Sequence, residues 1–245
     1  MHSPREIELR YSMFVDGMVD RLWTGVQLPS TPLNVIVKGK ISMLSKQFVT
    51  DYIELLTLFR KSDKRYMRFG ALGHRYKLHN PISETDLIKL SKNLRGYGLP
   101  RDYYDYLTKI ADGGFSSCYG LLPIEKTIQL IVKRASNEDA KKLDDFLVIE
   151  RAGCNFYVLL KLTGKNAGVI CHATANGNIH DIEIEETTLP FKLYLLDSFF
   201  KDEKFIKDLK REDKELHTRL MKYFEDYERL RPRTDYETFK ELGLL

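Results

Sequence analysis

Between Phe146 and Glu186 the chain reads FLVIER, NFYVLLKLTG, GVICHAT and GNIHDIEIEE, four short apolar or alternating stretches separated by glycine-bearing turns. A period of two places successive side chains on opposite faces of a strand, and connections as short as AGCN and TGKNAG suit hairpins. These four stretches therefore predict an antiparallel meander. A sheet of this kind must bury its apolar side against other elements, so the rest of the chain has to supply that cover.

On both sides of the meander the period is helical. Ser3, Pro4 and Glu6 form a cap, a first-turn proline and a capping-box glutamate, and Ile7, Tyr11, Phe14, Val15, Met18 and Leu22 continue as one stripe. LNVIVKG, after Pro29 and Pro32, reads as a short strand, and a second helix is expected from Ser45 to Arg60 with Phe48, Tyr52, Leu55, Leu56 and Phe59 on its face. Ser83 has the position of an N-cap accepting from the backbone of Asp86, with Ile82 and Leu87 as a staple. The helix that follows, 83 to 94, turns Leu87, Leu90 and Leu94 inward and stops at Gly96 and Gly98.

LPRDYYDYLTKIADGG, residues 99 to 114, predicts another helix. Pro100 is tolerated in a first turn, Asp102 complements the positive helix end, and Tyr103, Tyr106, Leu107 and Ile110 make the stripe. Gly113 is placed to take the left-handed conformation that closes it. Beyond the meander, LYLLDSFFKDEKFIKDL reads as helix, followed by a C-terminal helix whose Leu216, Leu220, Tyr223, Tyr227 and Leu230 repeat at spacings of 4 and 3. Helices, meander and helices again define an α+β fold.

Composition narrows the classes. With 43% hydrophobic residues over 245 positions the chain can bury a core, and no run approaches the ~18 apolar residues of a membrane span. Cys118, Cys154 and Cys171 are too few and too scattered for a disulfide framework, and the N-terminal MHSPREIELR lacks the apolar segment of a signal peptide. A cytoplasmic protein without a membrane partner is expected. The net charge is +4, with the surplus in residues 1 to 75, where 12 Lys and Arg stand against 7 Asp and Glu. RKSDKRYMRFG, residues 60 to 70, is the one basic stretch with interleaved aromatics, and as a short run it reads as solvated surface; nucleic acid is not the expected partner.

No reactive constellation emerges. Cys171 and His172 are neighbours on a strand, which points them to opposite faces. Cys154, Cys171, His172 and His180 lack the paired spacings of a zinc site, and His74 and His79 lack ligand partners. LTGKNAG lacks the upstream glycine and the Ser or Thr of a phosphate loop. No catalytic residue, metal or cofactor is expected. Electrostatics single out NIHDIEIEE: Asp181, Glu183 and Glu185 alternate with Ile182 and Ile184, so a strand here carries a comb of carboxylates opposite its isoleucines. Asp144 and Asp145, ahead of an earlier strand, join the candidate acidic surface. Such a row resists edge aggregation, or it attracts a basic protein partner.

The order of motifs from residue 74 onward resembles the SUKH superfamily. His74, Tyr76, Pro81, Ser83, Leu99, Pro100, Asp102, Tyr103, Tyr106, Leu107, Gly113, Gly114, Tyr119, Gly120, Leu121 and Pro123 follow its sequence of motifs. Gly153, Cys154, Tyr157, Leu159, Gly164 and Gly168 resemble its second block. Two departures stand out: Asp112 occupies the usual Asn of Asn-Gly-Gly, and Ile170, Cys171 and His172 stand where a tryptophan is common. The resemblance implies helices around a mixed or antiparallel sheet, with 74 to 211 as the SUKH-like domain. Residues 1 to 73 then form a mainly helical extension packed on it, and 212 to 245 a C-terminal helix and tail. It implies a structural role for Pro100, Asp102, Tyr103, Gly113, Gly114, Tyr119, Gly120 and Gly153, and no catalytic residues. Bacterial members are mostly immunity proteins that bind a cognate polymorphic toxin, often a nuclease, and a fungal branch acts as a regulatory hub in cell-wall synthesis. The expectation is a non-enzymatic bacterial immunity protein that occludes its toxin, with a regulatory scaffold as the alternative.

Overall fold

A computed structural model describes residues 44–68, 71–92, 94, 98–134, 145–153, 155–175 and 182–232. The expected first helix, the LNVIVKG strand, Gly96, Asp144, Cys154, His180 and Asp181 lie outside these residues.

Helix α1 (Lys46–Ser62) begins where the Ser45 hydroxyl accepts from Phe48 N at 3.1 Å, and it buries the expected stripe Phe48, Tyr52, Leu55, Leu56 and Phe59. A single turn α2 (Ala71–His74) leads to α3 (Glu84–Ser91), which Ser83 caps by accepting from Asp86 N at 3.1 Å. Helix α4 (Arg101–Lys109) has Pro100 as its N-cap residue, one position ahead of the expected first turn. Tyr103, Tyr106, Leu107 and Ile110 are all buried, as their spacing predicts. Helix α5 (Ile124–Arg134) starts at the Asp112 carboxylate, which accepts from Ile124 N at 2.7 Å, so the residue that departs from the usual Asn performs a cap.

The Gly-Gly pair does not close α4. That helix ends at Lys109, with Ile110 N and Ala111 N both donating to Tyr106 O at 2.9 Å. Gly113 and Gly114, at φ 90 and 113, instead let three backbone segments pass close together. A Cβ on Gly114 would lie 2.5 Å from Lys77 O and 2.8 Å from Leu78 Cα. Gly114 bridges Leu78 on one side and Leu121 on the other, and Leu121 bridges Glu150 of the first strand. The glycines thus extend the sheet's edge by backbone pairing that side chains would block.

The meander is β1 (Phe146–Gly153), β2 (Phe156–Lys161), β3 (Val169–Ala175) and β4 (Ile182–Pro190), antiparallel in the order β1-β2-β3-β4. Gly153 at φ 82 and Asn155 at φ 71 shape the first hairpin. The chain then forms α6 (Phe191–Tyr194), α7 (Asp197–Phe200), α8 (Glu203–Glu212) and α9 (Lys214–Leu230). The expected helix over LYLLDSFFKDEKFIKDL is therefore three pieces, the last of which starts where Asp202 accepts from Phe205 N at 2.8 Å.

Both faces of the sheet are covered at its centre. Leu147, Ile149, Val158, Leu160 and Ile170 join the main core with α1, α4 and α6 through α9. Phe146, Val148, Leu159, Cys171 and Ala173 form a second cluster with Leu122 and Leu130 from the α5 side. The α1 stripe and Leu216, Leu220 and Tyr227 of α9 belong to the same cluster as Tyr103, Tyr106 and Phe191. Each such buried side chain stabilises by roughly 1.5–3 kcal/mol, so the two flanking helices are integral to the fold. Arg219 on α9 also reaches the buried Asp51 on α1, Nε to Oδ1 at 2.8 Å.

Candidate partner-binding face

Directly paired residues on neighbouring strands share one face of a sheet, so the register identifies what stands together. A register shift between Val148 and Glu150 sets Glu150 opposite Val158, which opposes His172, which opposes Glu185. The next row on that face runs Gly153, Phe156, Thr174, Glu183. The main core covers this face at Val158, Leu160 and Ile170 and stops short of the second row. Phe156 is consequently 50% exposed, and Glu183 and Glu185 are exposed beside it. Neither carboxylate has an ion-pair partner among the described residues, whereas Glu186, on the opposite side of the strand, is held by Lys161 Nζ at 2.5 Å. Ile184 turns to the second cluster, as alternation requires.

A buried carboxylate fixes the adjoining loop. Glu150 is fully buried and accepts from the Ser116 hydroxyl at 2.6 Å, Gly120 N at 2.8 Å and the Tyr194 hydroxyl at 2.5 Å. Burial pushes its pKa up, while these donors, with the Tyr119 backbone, pull the other way. The loop so anchored presents Tyr119, 44% exposed, with its ring over Gly153: a Cβ there would lie 2.9 Å from Tyr119 Cε2. Gly120, at φ 107, leaves the space that the His74 ring fills. Tyr119 and Phe156 therefore stand at one end of this exposed row and Glu183 and Glu185 at the other, with His172 between them in the neighbouring row. Partial burial holds the His172 imidazole below its usual pKa, against the pull of Glu185.

The sequence-derived acidic surface divides. Glu183 and Glu185 are brought together as the comb requires. Asp145 is not brought to them: it precedes β1 at the far end of the opposite edge, three strand spacings or roughly 14 Å away across the sheet. There its Oδ1 accepts from the Thr163 hydroxyl at 2.8 Å. Tyr119, expected as structural, is also part of the exposed corner. Phe156 was missed by the sequence reading; the only sequence signal for it is an aromatic placed first in its strand, immediately after a turn.

What this corner offers chemically is a mixed aromatic and acidic surface for a cationic protein group. Among the described residues no group of three or more His, Cys, Asp or Glu side chains is arranged to hold a metal. Cys118 and Cys171 are free thiols whose pKa values burial pushes up to about 11.

Residues 81–199 match the family model described as SMI1 / KNR4 family (SUKH-1). Residues 81–199 belong to the SUKH superfamily. No curated protein matches it. The matched SUKH segment runs from Pro81 through α3 to α7, so it contains the whole meander, while α1 and α9 lie outside the match yet share its core. Members of this family are generally non-enzymatic, and membership is consistent with an immunity or regulatory protein-interaction module. Among the described residues no helix is long and apolar enough to cross a membrane.

Proposed function

We propose that this SUKH protein is an immunity protein that neutralises a cognate toxin by stoichiometric binding, covering the toxin's active or substrate-binding surface. The observation that carries this reading is the end of the sheet where Glu183 and Glu185, without ion-pair partners among the described residues, share a face with exposed Phe156 and, beyond it, Tyr119. A basic toxin surface, such as that of a nuclease, meets there the charge and the aromatic area it needs for fast, oriented association. Helices α1 and α9, which share its core, act as braces on the domain at 74–211.

Affinity purification from the native host, with the full chain and an E183K/E185K variant as parallel baits, tests the proposal. The expected result is a stoichiometric partner retained by the first bait and lost from the second, whose toxicity the unaltered chain abolishes at equimolar ratio. Equal retention by both baits removes the corner from the mechanism. A captured partner that is a signalling or cell-wall component, with no toxicity of its own, replaces immunity with the regulatory scaffold reading.

A further inference from the structure

The basic stretch set aside as solvated surface has a built conformation. Asp63, the only acid between Arg60 and Arg68, is buried and accepts from Met67 N at 2.9 Å, Arg68 N at 3.0 Å and the Tyr76 hydroxyl at 2.5 Å. Tyr66 sits at φ 55, a left-handed conformation that bulky side chains seldom adopt. Arg68 is locked as well, its Nε 2.5 Å from Asp202 Oδ2 and its guanidinium 3.9 Å above the Phe59 ring. The loop is thereby fixed from several sides. What it presents is Met67, 79% exposed, together with Arg60, Lys61, Lys64 and Arg65, all exposed and without ion-pair partners among the described residues.

This loop connects to the Tyr119 end of the exposed row through a short chain of contacts. The Arg75 guanidinium lies 5.9 Å from the Tyr66 ring centroid. His74, the preceding residue, fills the space over Gly120, and the neighbouring Tyr119 ring lies on Gly153, which opposes Phe156. From Phe156 the row runs through Thr174 to Glu183. These contacts link a basic segment and Met67 to Tyr119 and Phe156 and, across the sheet, to the carboxylates of Glu183 and Glu185.

A surface with opposite charges at its two ends is complementary to itself after a two-fold rotation, because each end then meets its opposite twice. We propose that two copies of this chain pair across this face. The segment Arg60–Arg65 of one protomer, the last turn of α1 and the start of the loop after it, lies on Glu183 and Glu185 of the other, and Met67 packs against the partner's aromatic pair in a sulfur–aromatic contact. The consequence rests on the partner-binding reading above: the dimer covers Glu183 and Glu185, so toxin and second copy compete for one surface, and the monomer is the form that binds toxin.

Sedimentation velocity on the full chain, from micromolar to several hundred micromolar and at low and high salt, tests the pairing without any toxin present. The unaltered chain is expected to dimerise, more weakly as salt screens the ends. The variants R60E/K61E/K64E/R65E and E183K/E185K, changed only at exposed positions, each raise the dimer dissociation constant more than tenfold. Mixed in equal amounts they restore the dimer, because both contacts of the mixed pair then join opposite charges. Met67→Ala weakens pairing without changing its salt dependence. A chain that stays monomeric throughout, reversed variants that dimerise as before, or a mixture that stays monomeric overturns the proposal. Those results leave the partner reading intact, just as indifference of a toxin to E183K/E185K leaves the dimer assay standing.

Discussion

The Tyr194 hydroxyl donates to Glu150 Oε2 at 2.5 Å inside the core, and this one bond ties the first residue run after the sheet to the sheet's first strand. The same carboxylate holds the loop that presents Tyr119. Tyr194→Phe removes a donor and leaves the buried acceptor short of a partner. Hydrogen bonds to charged groups contribute about 1.5–3 kcal/mol, so a loss of about 2 kcal/mol is expected in urea titration, with the unfolding slope unchanged. An unfolding midpoint equal to that of the unaltered chain refutes the role given to Glu150.

Gly114 and Gly164 separate two reasons for a glycine. Gly164 sits at φ 78 with nothing within 4 Å of an added Cβ, so Gly164→Ala meets backbone strain alone, about 1–2 kcal/mol. Gly114 has the same kind of φ and also lies against Lys77 O and Leu78 Cα. Gly114→Ala must displace backbone that bridges two segments, and a loss above about 4 kcal/mol, or failure to fold, is expected. Thermal unfolding of the two variants side by side gives the comparison. Similar midpoints mean that the close passage at Gly114 is not needed.

Legibility in the sequence followed locality. The four strands, the Ser83 cap and the α1, α4 and α9 stripes depend on residues a few positions apart, and periodicity exposes them. Gly113 and Gly114 read as a helix stop because a glycine's requirement for positive φ is visible in sequence, while the backbone that needs it, at Lys77 and Leu121, is distant along the chain. For the same reason Asp145 joined Glu183 on paper and stands at the opposite edge in space. Nothing local in the sequence marks Glu150 as buried; the register shift after Val148 turns it inward. The exposed corner was half legible, since alternation places Glu183 and Glu185 on one side but says nothing of Phe156 beside them.

Asp102, one of the motif residues, gives a pH dependence. Burial pushes its pKa up to about 6, with Lys192 opposing and Asp105 reinforcing the shift. The folded state thus binds the Asp102 proton more tightly than the unfolded chain does. By linkage the associated stability is fully present below the ordinary value of 3.8 and is lost as pH rises through about 6. Denaturant unfolding of the unaltered chain and of Asp102→Asn across that window isolates the effect. The difference between them should shift in favour of Asp102→Asn as pH rises through 6, and a constant difference refutes the assignment.

The corner residues divide association from retention. Glu183 and Glu185 are exposed and have no ion-pair partner among the described residues, so their influence on a basic partner is long-ranged Coulomb attraction, which salt screens over about 8–10 Å at ordinary ionic strength. Reversing both charges is expected to slow association at least tenfold at low salt, and the difference from the unaltered chain should largely vanish at high salt. Phe156 acts by contact, because its half-exposed ring has no charge to steer with. Phe156→Ala is expected to leave the association rate nearly unchanged and to speed dissociation, consistent with the loss of about 1–3 kcal/mol of buried aromatic contact. Stopped-flow or surface-based kinetics with the captured partner measures both rates. If the aromatic substitution alters association and the charge reversal alters only dissociation, partner recognition at this corner does not begin with electrostatic attraction.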